Sequence, residues 1–256
     1  MLMKRLFAPL FSRLARALGI TEIQERLTVV ETSHSIAPDL YVRLEQAFRG
    51  DPILVATRQS QYLVHVRPSV TKQAPLLDLG CGRGEWLQVL ADDGLEAWGV
   101  DENPEVITIC RQRGLNVQQK SITSTLNSIP KGSLGAITLF QVLEHLQFAE
   151  VLNVLVKARQ LLTPGGVLIA EVPNAETLRV GAGTFWIDPT HVRPLFPPVL
   201  RFLAEEAGFT QIQSVYSTPL QEAPNLENVD ANISEILLQL HEQINGNGDF
   251  AIVARN

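Results

Sequence analysis

The sequence is poor in cysteine, in long hydrophobic runs and in excess basic charge, and each of these absences excludes a class of protein. Its two cysteines, Cys81 and Cys110, are too few and too far apart for a zinc site or a disulfide framework, and they suit a reducing cytosol. No uninterrupted apolar run approaches the roughly 18 residues that a membrane span needs. The net charge of −6 leaves no general basic face for nucleic acid. The sequence therefore predicts a cytoplasmic protein without a nucleic-acid partner.

Internal repeats and low-complexity segments are also absent from the sequence. The hydrophobic content of 45% and the charged content of 19% are typical of a soluble globular protein. A chain of 256 residues can hold one large α/β domain and some extra helices.

The most informative stretch runs from Leu76 to Leu87 and reads LLDLGCGRGEWL. The leucines around Asp78 predict a short strand buried on both faces, and the residues from Glu85 onward predict an amphipathic helix. Glycines between the two let a ligand approach the backbone closely, and a helix start favours negative charge. This strand, turn and helix therefore predict a site for a ligand that carries a carboxylate or a phosphate. The turn has the pattern G-x-G-x-G, formed by Gly80, Gly82 and Gly84.

From about Ala74 onward, strands and helices alternate. This order predicts a Rossmann-like, mostly parallel sheet of seven strands with helices on both faces, in a domain over residues 74–256. The segment 226–244 is predicted to be a mostly polar helix. The predicted strands are 76–79, 97–100, 116–119, 134–140 and 167–172, with 210–216 and 250–254 as closing antiparallel strands.

Residues 1–73 predict a helical extension ahead of this domain. The first twenty residues are basic and carry apolar side chains at helical spacing, which is typical of an interfacial helix on an anionic membrane surface. Packing on the protein itself or on a second subunit accounts for the pattern equally well. Residues 20–34 follow the a/d spacing of a short coiled coil, which favours a homodimer contact or a lid helix. Two further helices are predicted, at 37–50 and 53–66.

Asp101 follows the second predicted strand, twenty-three residues after Asp78. A carboxylate there can accept hydrogen bonds from both ribose hydroxyls of a nucleoside, and this fits NAD and other nucleoside cofactors alike. A helix cap ahead of Asn103 is the alternative role. The glycine spacing opposes a dinucleotide, because that fingerprint is G-x-G-x-x-G.

The glycine pattern after Asp78 resembles the first motif of class I S-adenosylmethionine (SAM)-dependent methyltransferases. Two later stretches resemble the same family and occur in the expected order: 132–146, a strand with the loop after it, and 161–168, a helix-to-strand turn. The resemblance covers about residues 75–216. It implies a SAM site made of Asp78, Gly80, Cys81, Gly82, Asp101, Glu102, Ser121, Ile122 and Gln141.

Within that site, the resemblance implies that Asp78 anchors the methionine end of SAM while two glycines let the backbone pass beneath it. Family members often carry an acidic residue after the third strand, where it meets the adenine amine. Lys120 occupies that stretch here, so backbone contacts from Ser121 and Ile122 are expected instead.

Glu144 and His145 follow the fourth predicted strand and have three open roles: an acid–base pair, part of a metal site, or a structural loop. Some quinone O-methyltransferases have a related E-x-x-E-H cluster that holds a divalent metal. Here the first acidic position is Gln141, which removes a charged ligand. We therefore expect no obligatory metal.

Residues 184–194 read TFWIDPTHVRP and follow the fifth predicted strand, at the edge where ligands of open α/β sheets bind. Phe185 and Trp186 offer flat surfaces for a sugar or ring face. His191 is the predicted general base, oriented by Asp188, and His145 is the competing base. A loop that only covers the core is the alternative.

This loop, with Phe48-Arg49-Gly50 upstream and the RGEW sequence at 83–86, resembles a bacterial methyltransferase group of O-antigen and surface-polysaccharide assembly. The resemblance implies O-methylation of a saccharide or a lipid-linked glycan, at the membrane's cytoplasmic face if residues 1–20 bind it. Three alternatives stay open: a quinone-like small-molecule methyltransferase, a dehydrogenase, and a non-catalytic SAM-binding scaffold.

Overall fold

The computed structural model describes residues 37–48, 50–217 and 219–255. The predicted basic amphipathic helix in residues 1–20 and the predicted coiled coil over 20–34 lie outside the described residues. Among the helices that are described, none combines the length and the apolar character that crossing a membrane requires.

Seven strands form one sheet in the order β3-β2-β1-β4-β5-β7-β6. The first five pair in parallel, and β7 runs antiparallel to both β5 and β6. The predicted Rossmann-like, mostly parallel sheet is confirmed, and of the described strands β7 is the one that runs against the rest. The strands are β1 (Leu76–Leu79), β2 (Ala97–Asp101), β3 (Val117–Gln119), β4 (Leu134–Phe140), β5 (Leu162–Pro173), β6 (Gln211–Tyr216) and β7 (Asp249–Arg255).

Ten α-helices lie within the described residues, and two 3-10 turns, Leu143–His145 and Thr184–Ile187, follow β4 and β5 respectively. The helices are α1 (Pro38–Phe48), α2 (Pro52–Ser60), α3 (Leu63–Val66), α4 (Glu85–Asp92), α5 (Pro104–Gln112), α6 (Ile122–Ser128), α7 (Phe148–Leu161), α8 (Leu178–Gly181), α9 (Pro197–Glu206) and α10 (Ala231–Asn245).

Apolar side chains cover both faces of the sheet. β4 is buried along its whole length, as expected for a central parallel strand with helices on both sides. Successive side chains of a strand point to opposite faces, so Leu77 and Leu79 enter one core cluster and Leu76 enters the other. Leu155 of α7 packs in the first cluster and Trp86 of α4 in the second.

The helices before β1 contribute to the second cluster. Tyr62, Val66 and Val70 are buried there together with side chains of the sheet. Residues Leu44–Asn256 form one compact unit. The predicted domain division between residues 73 and 74 stays a prediction, but the packing joins α3 and the residues that flank it to the sheet.

The helices differ from the sequence-based prediction in several places: α8 and α9 were not predicted, and the single helix predicted over 53–66 is two helices, α2 and α3. The differences at α6 and α10 have local causes. α6 was not predicted, because its polar sequence buries only Thr125 and Leu126; Ser121 starts it by accepting a hydrogen bond from the Ser124 amide at 3.2 Å. α10 begins at residue 231 rather than 226, because the Asp230 side chain caps the amides that follow it. The prediction of a mostly polar α10 is wrong: none of its residues is buried, yet it exposes Ile233, Ile236, Leu237, Leu238, Leu240 and Ile244.

Candidate active site

The glycine turn lies between β1 and α4 and is held against the end of β2. Its three glycines have positive φ, at 72° for Gly80, 50° for Gly82 and 79° for Gly84, which a side chain would oppose. The amides of Gly80 and Cys81 both donate to the Val100 carbonyl, at 2.9 and 3.0 Å. The amides in the first half of the turn are therefore bonded to β2, and these bonds fix the position of the turn.

Gly80 also meets the loop that follows β4. A Cβ built on Gly80 would lie 2.6 Å from Cγ2 of Val142, closer than side chains pack. Val142 immediately precedes the 3-10 turn that contains Glu144 and His145. The glycine turn and this 3-10 turn are therefore direct neighbours at the carboxyl edge of the sheet.

We expect Gly80→Ala to destabilise the protein by about 1–3 kcal/mol more than Gly94→Ala does, because only the first change overpacks a neighbour. Both glycines have φ of +72°, but a Cβ on Gly94 would meet nothing within 4 Å. Urea unfolding of the two variants measures the difference. Equal losses would mean that Val142 moves aside at no cost and that the close approach is dispensable.

Asp78 and Cys81 flank the turn from inside the protein. Asp78 is 2% exposed, and its Oδ1 accepts a hydrogen bond from the Thr138 hydroxyl of β4 at 2.7 Å. The Cys81 thiol is buried, and a hydrogen bond with Cys110 together with burial raises its pKa. Cys81 packs against Gly99: a Cβ built on Gly99 would lie 2.6 Å from the Cβ of Cys81. The buried Cys81 side chain therefore packs the glycine turn against β2.

Asp101 ends β2 and is already aligned by the backbone. Its Oδ2 accepts from the Gly82 amide at 3.1 Å, and its Oδ1 accepts from the Asn103 amide at 2.8 Å. Glu102 beside it is exposed, while Ser121 and Ile122 are half-buried after β3. The structure thus brings the residues predicted for the ribose and the adenine to the same edge of neighbouring strands.

The side chain of Gln141 bonds carboxylates of β5 and β7. Its backbone has φ of 57°, the one positive value at a non-glycine residue among those described. The Gln141 side-chain amide donates to Asp249 Oδ1 at 3.1 Å and to Glu171 Oε1 at 3.4 Å. Glu171 also accepts from the Tyr62 hydroxyl at 2.6 Å, and burial and this carboxylate raise the pKa of Tyr62. A strained backbone is therefore held in place by a buried polar network.

Two histidines from separate segments meet beside the 3-10 turn after β4. The rings of His145 and His191 lie 4.7 Å apart between centroids in an edge-on arrangement. The carboxylate of Glu144 is fully buried, and its Oε1 lies 4.0 Å from Nε2 of His191. The Val192 amide donates to the Glu144 carbonyl at 2.8 Å, which ties the loop 184–194 to this turn.

The ring of His191 is fixed by the segment before it. Its Nδ1 lies 2.6 Å from the carbonyl oxygen of Phe185, and the two rings pack at 4.5 Å. A carbonyl can only accept, so Nδ1 carries the hydrogen in this contact. Nε2 is then the nitrogen that faces Glu144.

Asp188 does not orient the His191 ring as the sequence suggested; its carboxylate bonds Thr190 instead. Oδ1 of Asp188 accepts from the Thr190 amide at 2.8 Å and from its hydroxyl at 2.6 Å, and the same hydroxyl lies 2.8 Å from His145 Nδ1. An Asp that folds back onto the residue two positions later is a common local turn. Thr190 was missed, although the Asp-x-Thr spacing could have indicated it.

Glu144, His145 and His191 are also the described side chains that could hold a metal ion. Each offers one ligand atom, and these atoms lie within 4.8 Å of one another. The absence of an obligatory metal was predicted from Gln141 alone and stays a prediction.

The aromatic residues of the loop take two different roles. Phe185 is 1% exposed and belongs to the core, whereas Trp186 is 57% exposed and its indole N–H donates to the Gly181 carbonyl at 3.0 Å. Trp186 alone of the two therefore presents a flat surface. The Arg193 guanidinium lies over the Phe148 ring, 5.4 Å from its centroid.

Comparisons with known proteins agree with this geometry. Residues 55–214 match the model of a family described as a methyltransferase domain. A probable S-adenosylmethionine-dependent methyltransferase of Mycolicibacterium smegmatis is 30% identical over 138 residues, which are 52% of this chain and 51% of the relative. A ubiquinone biosynthesis O-methyltransferase of Cereibacter sphaeroides is 31% identical over 103 residues, or 39% of this chain and 41% of the relative. The chain thus spans about half the length, or less, of these curated relatives.

Among solved structures, a SAM-dependent methyltransferase from Archaeoglobus fulgidus superposes with a TM-score of 0.75 at 28% identity. The match covers 84% of this chain and 99% of that one.

Proposed function

The chain belongs to the SAM-dependent methyltransferases, and from that membership we propose that it methylates a hydroxyl oxygen of a saccharide or lipid-linked glycan in cell-surface polysaccharide biosynthesis. The observation that supports a hydroxyl as the acceptor group is the pair of imidazoles, His145 and His191, which follow the loop beside the glycine turn and contact each other. A hydroxyl loses a proton as it is methylated, and a neutral imidazole can take that proton near pH 7.

SAM is the methyl donor of this family. In our proposal Asp101 binds the ribose, Ser121 and Ile122 contact the adenine, and Asp78 with Gly80 holds the methionine end. The glycine turn and the end of β2 are joined through Gly82 and Asp101, which supports one continuous cofactor site. A site fixed before SAM arrives loses less free energy in ordering.

The acceptor oxygen attacks the methyl carbon of SAM in line with the carbon–sulfur bond. The new carbon–oxygen bond forms as that bond breaks, S-adenosylhomocysteine leaves, and the acceptor proton passes to an imidazole. Holding oxygen, carbon and sulfur aligned can supply a large part of the rate enhancement. The chain's own contribution is thus alignment at the sheet edge and one proton acceptor.

A saccharide is supported by Trp186, whose exposed ring packs edge-on against Phe185, the residue that in turn contacts the His191 ring. Flat aromatic faces suit the apolar face of a sugar ring. The second candidate is a quinone-like phenol, favoured by the ubiquinone O-methyltransferase among the relatives. Both acceptors present a hydroxyl, so the transfer step is common to them.

A methyl-transfer screen with labelled SAM tests the proposal, using nucleotide sugars, lipid-linked glycans and quinone precursors as acceptors. We expect label on a glycan, and we expect Trp186→Ala to raise KM for that glycan. Phe202→Ala is the matched control, because Phe202 is also an exposed aromatic, 55% against 57%, but lies on α9. Label on a quinone precursor alone would replace the substrate class. SAM binding without any product would support the scaffold alternative.

A further inference from the structure

We propose that two copies of this chain pair through one apolar stripe of α10, with the two helices running antiparallel. The stripe consists of Ile233, Leu237, Leu240 and Ile244. It lies outside the glycine turn and the loop 184–194, so the pairing does not depend on which acceptor is methylated.

The first observation is the side of α10 that contacts the rest of the protein. None of the fifteen residues of α10 is buried, and its partly buried residues are mostly polar: Ser234, His241 and Asn245. The four side chains of the stripe are instead exposed, at 53% for Ile233, 39% for Leu237, 47% for Leu240 and 44% for Ile244. An ordinary surface helix has the opposite arrangement, with its apolar stripe toward the core. The stripe of α10 is therefore the side that a partner would cover.

α10 is fixed in place at both ends before any partner binds. At its start, Asp230 Oδ1 accepts from the amides of Asn232 at 3.0 Å and Ile233 at 3.4 Å. At its end, the Asn245 side-chain oxygen accepts from the Arg179 guanidinium of α8 at 3.3 Å. A partner thus meets a preformed helix, which lowers the free energy lost in ordering.

The stripe has the same order of side chains in both directions. Its members are spaced by four, three and four positions, and their types are isoleucine, leucine, leucine and isoleucine. Such alternation of three and four is that of a coiled-coil seam. An antiparallel second copy places Leu237 against the partner's Leu240 and Ile233 against the partner's Ile244. The stripe is therefore complementary to itself, as the two-fold interface of a homodimer requires.

The charges of α10 also permit this pairing. Its acidic residues, Glu235 and Glu242, lie on the side of the helix opposite the stripe, because each is about half a helical turn away from it. The positions that flank the stripe carry no acidic residue; they are Ser234, Ile236, His241 and Gln243. Like charges therefore do not meet when two stripes face each other.

The same charges oppose two other occupants. Residues 202–254 contain eight acidic residues and no lysine or arginine. Helices that bind anionic membranes carry lysine and arginine on their polar face, and nucleic acid requires basic side chains for its phosphates. A second copy of α10 needs no basic group.

The length of α10 sets the strength that we expect. Fifteen residues make a helix of about 22 Å, and a two-helix contact of that length lies at the low end of interface sizes. We therefore expect a dimer that dissociates on dilution.

Sedimentation equilibrium of the full chain over a range of protein concentrations tests the pairing. We expect the mass to rise from that of one chain toward that of two. Leu237→Glu should raise the dissociation constant about 10-fold or more, because it places a carboxylate against the partner's Leu240, where it loses water without gaining a partner. Leu238→Glu is the matched control, since Leu238 is 43% exposed on the same helix but lies outside the stripe.

A mixture of two variants tests the antiparallel arrangement. When Leu237→Glu copies meet Leu240→Lys copies, the new carboxylate and the new ammonium face each other and the remaining two leucines stay paired. We expect the mixture to associate more tightly than either variant alone. Urea unfolding and SAM titration show whether each variant is folded.

Four results would overturn the proposal. They are a wild-type protein that is monomeric at every concentration, a dimer that Leu237→Glu leaves unchanged, an equal loss with Leu238→Glu, and a mixture no tighter than its components. The second result would assign the dimer to another surface, such as the coiled coil predicted over 20–34.

Discussion

Replacing His145 with alanine will lower the rate of methyl transfer by a factor on the order of 10²–10⁴ and leave the affinity for SAM nearly unchanged. The loss follows because the variant lacks an imidazole that can take the acceptor proton and whose Nδ1 lies 2.8 Å from the Thr190 hydroxyl. Single-turnover transfer from labelled SAM measures the rate, and calorimetry measures SAM binding. His241→Ala is the matched control, since His241 belongs to α10 and its Nε2 lies 3.1 Å from the Gln221 carbonyl oxygen, outside the two loops that hold His145 and His191.

The variant His191→Ala, compared with His145→Ala, decides which of the two histidines is the base. Its expected effect is on stability, about 1–3 kcal/mol, because the change removes a ring that bonds the Phe185 carbonyl at 2.6 Å and packs on the Phe185 ring. Urea unfolding of both variants separates the two roles. If His191→Ala abolishes turnover in a stable protein while His145→Ala stays active, His191 is the base, as the sequence alone suggested.

The cofactor edge was predictable because its signals are local. Gly80 and Gly82 directly follow a run of leucines, and Asp101 ends the next strand. Parallel pairing of these neighbouring strands brings their carboxyl ends together once the strands are recognised. The same reasoning placed the loops after β4 and β5 at this edge. These predictions needed only periodicity, glycine and strand order.

The sequence identified the residues of the two loops expected to face the acceptor, but not the hydrogen bonds that these residues make. His145 and Thr190 are forty-five positions apart and meet only through the packing of two loops. Sequence proximity suggested that Asp188 would orient His191, whereas a local turn takes the carboxylate to Thr190. Periodicity carries no information about which of several polar groups in a loop will bond.

Polar pairs between residues far apart in the sequence could not be predicted either. Tyr62 and Glu171 are 109 positions apart, and their hydrogen bond joins the residue that precedes α3 to β5. Nothing in the alternation of strands and helices indicates that partner, so the helices before β1 read as a separate extension. Burial of Tyr62 depends on tertiary packing alone.

Asp101→Ala should weaken SAM binding by about 3 kcal/mol, roughly 100-fold in Kd, because hydrogen bonds to a charged group contribute about 1.5–3 kcal/mol each. The expected ribose contacts disappear, and so do the bonds to the amides of Gly82 and Asn103. Calorimetric titration with SAM measures the change. Asp92→Ala is the control, since that carboxylate bonds only Gln88 on the exposed face of α4.

Asp101→Asn separates the two contributions of this carboxylate. An asparagine oxygen can still accept one of the two amide bonds, but its amide nitrogen cannot accept the other. If the variant keeps its unfolding free energy and loses SAM affinity, the carboxylate acts mainly on the ribose. If both fall together, Asp101 acts mainly by fixing the glycine turn. Tight NAD binding by the wild-type protein with no SAM binding would contradict the cofactor assignment itself, since both nucleosides could use this carboxylate and only the glycine spacing separates them.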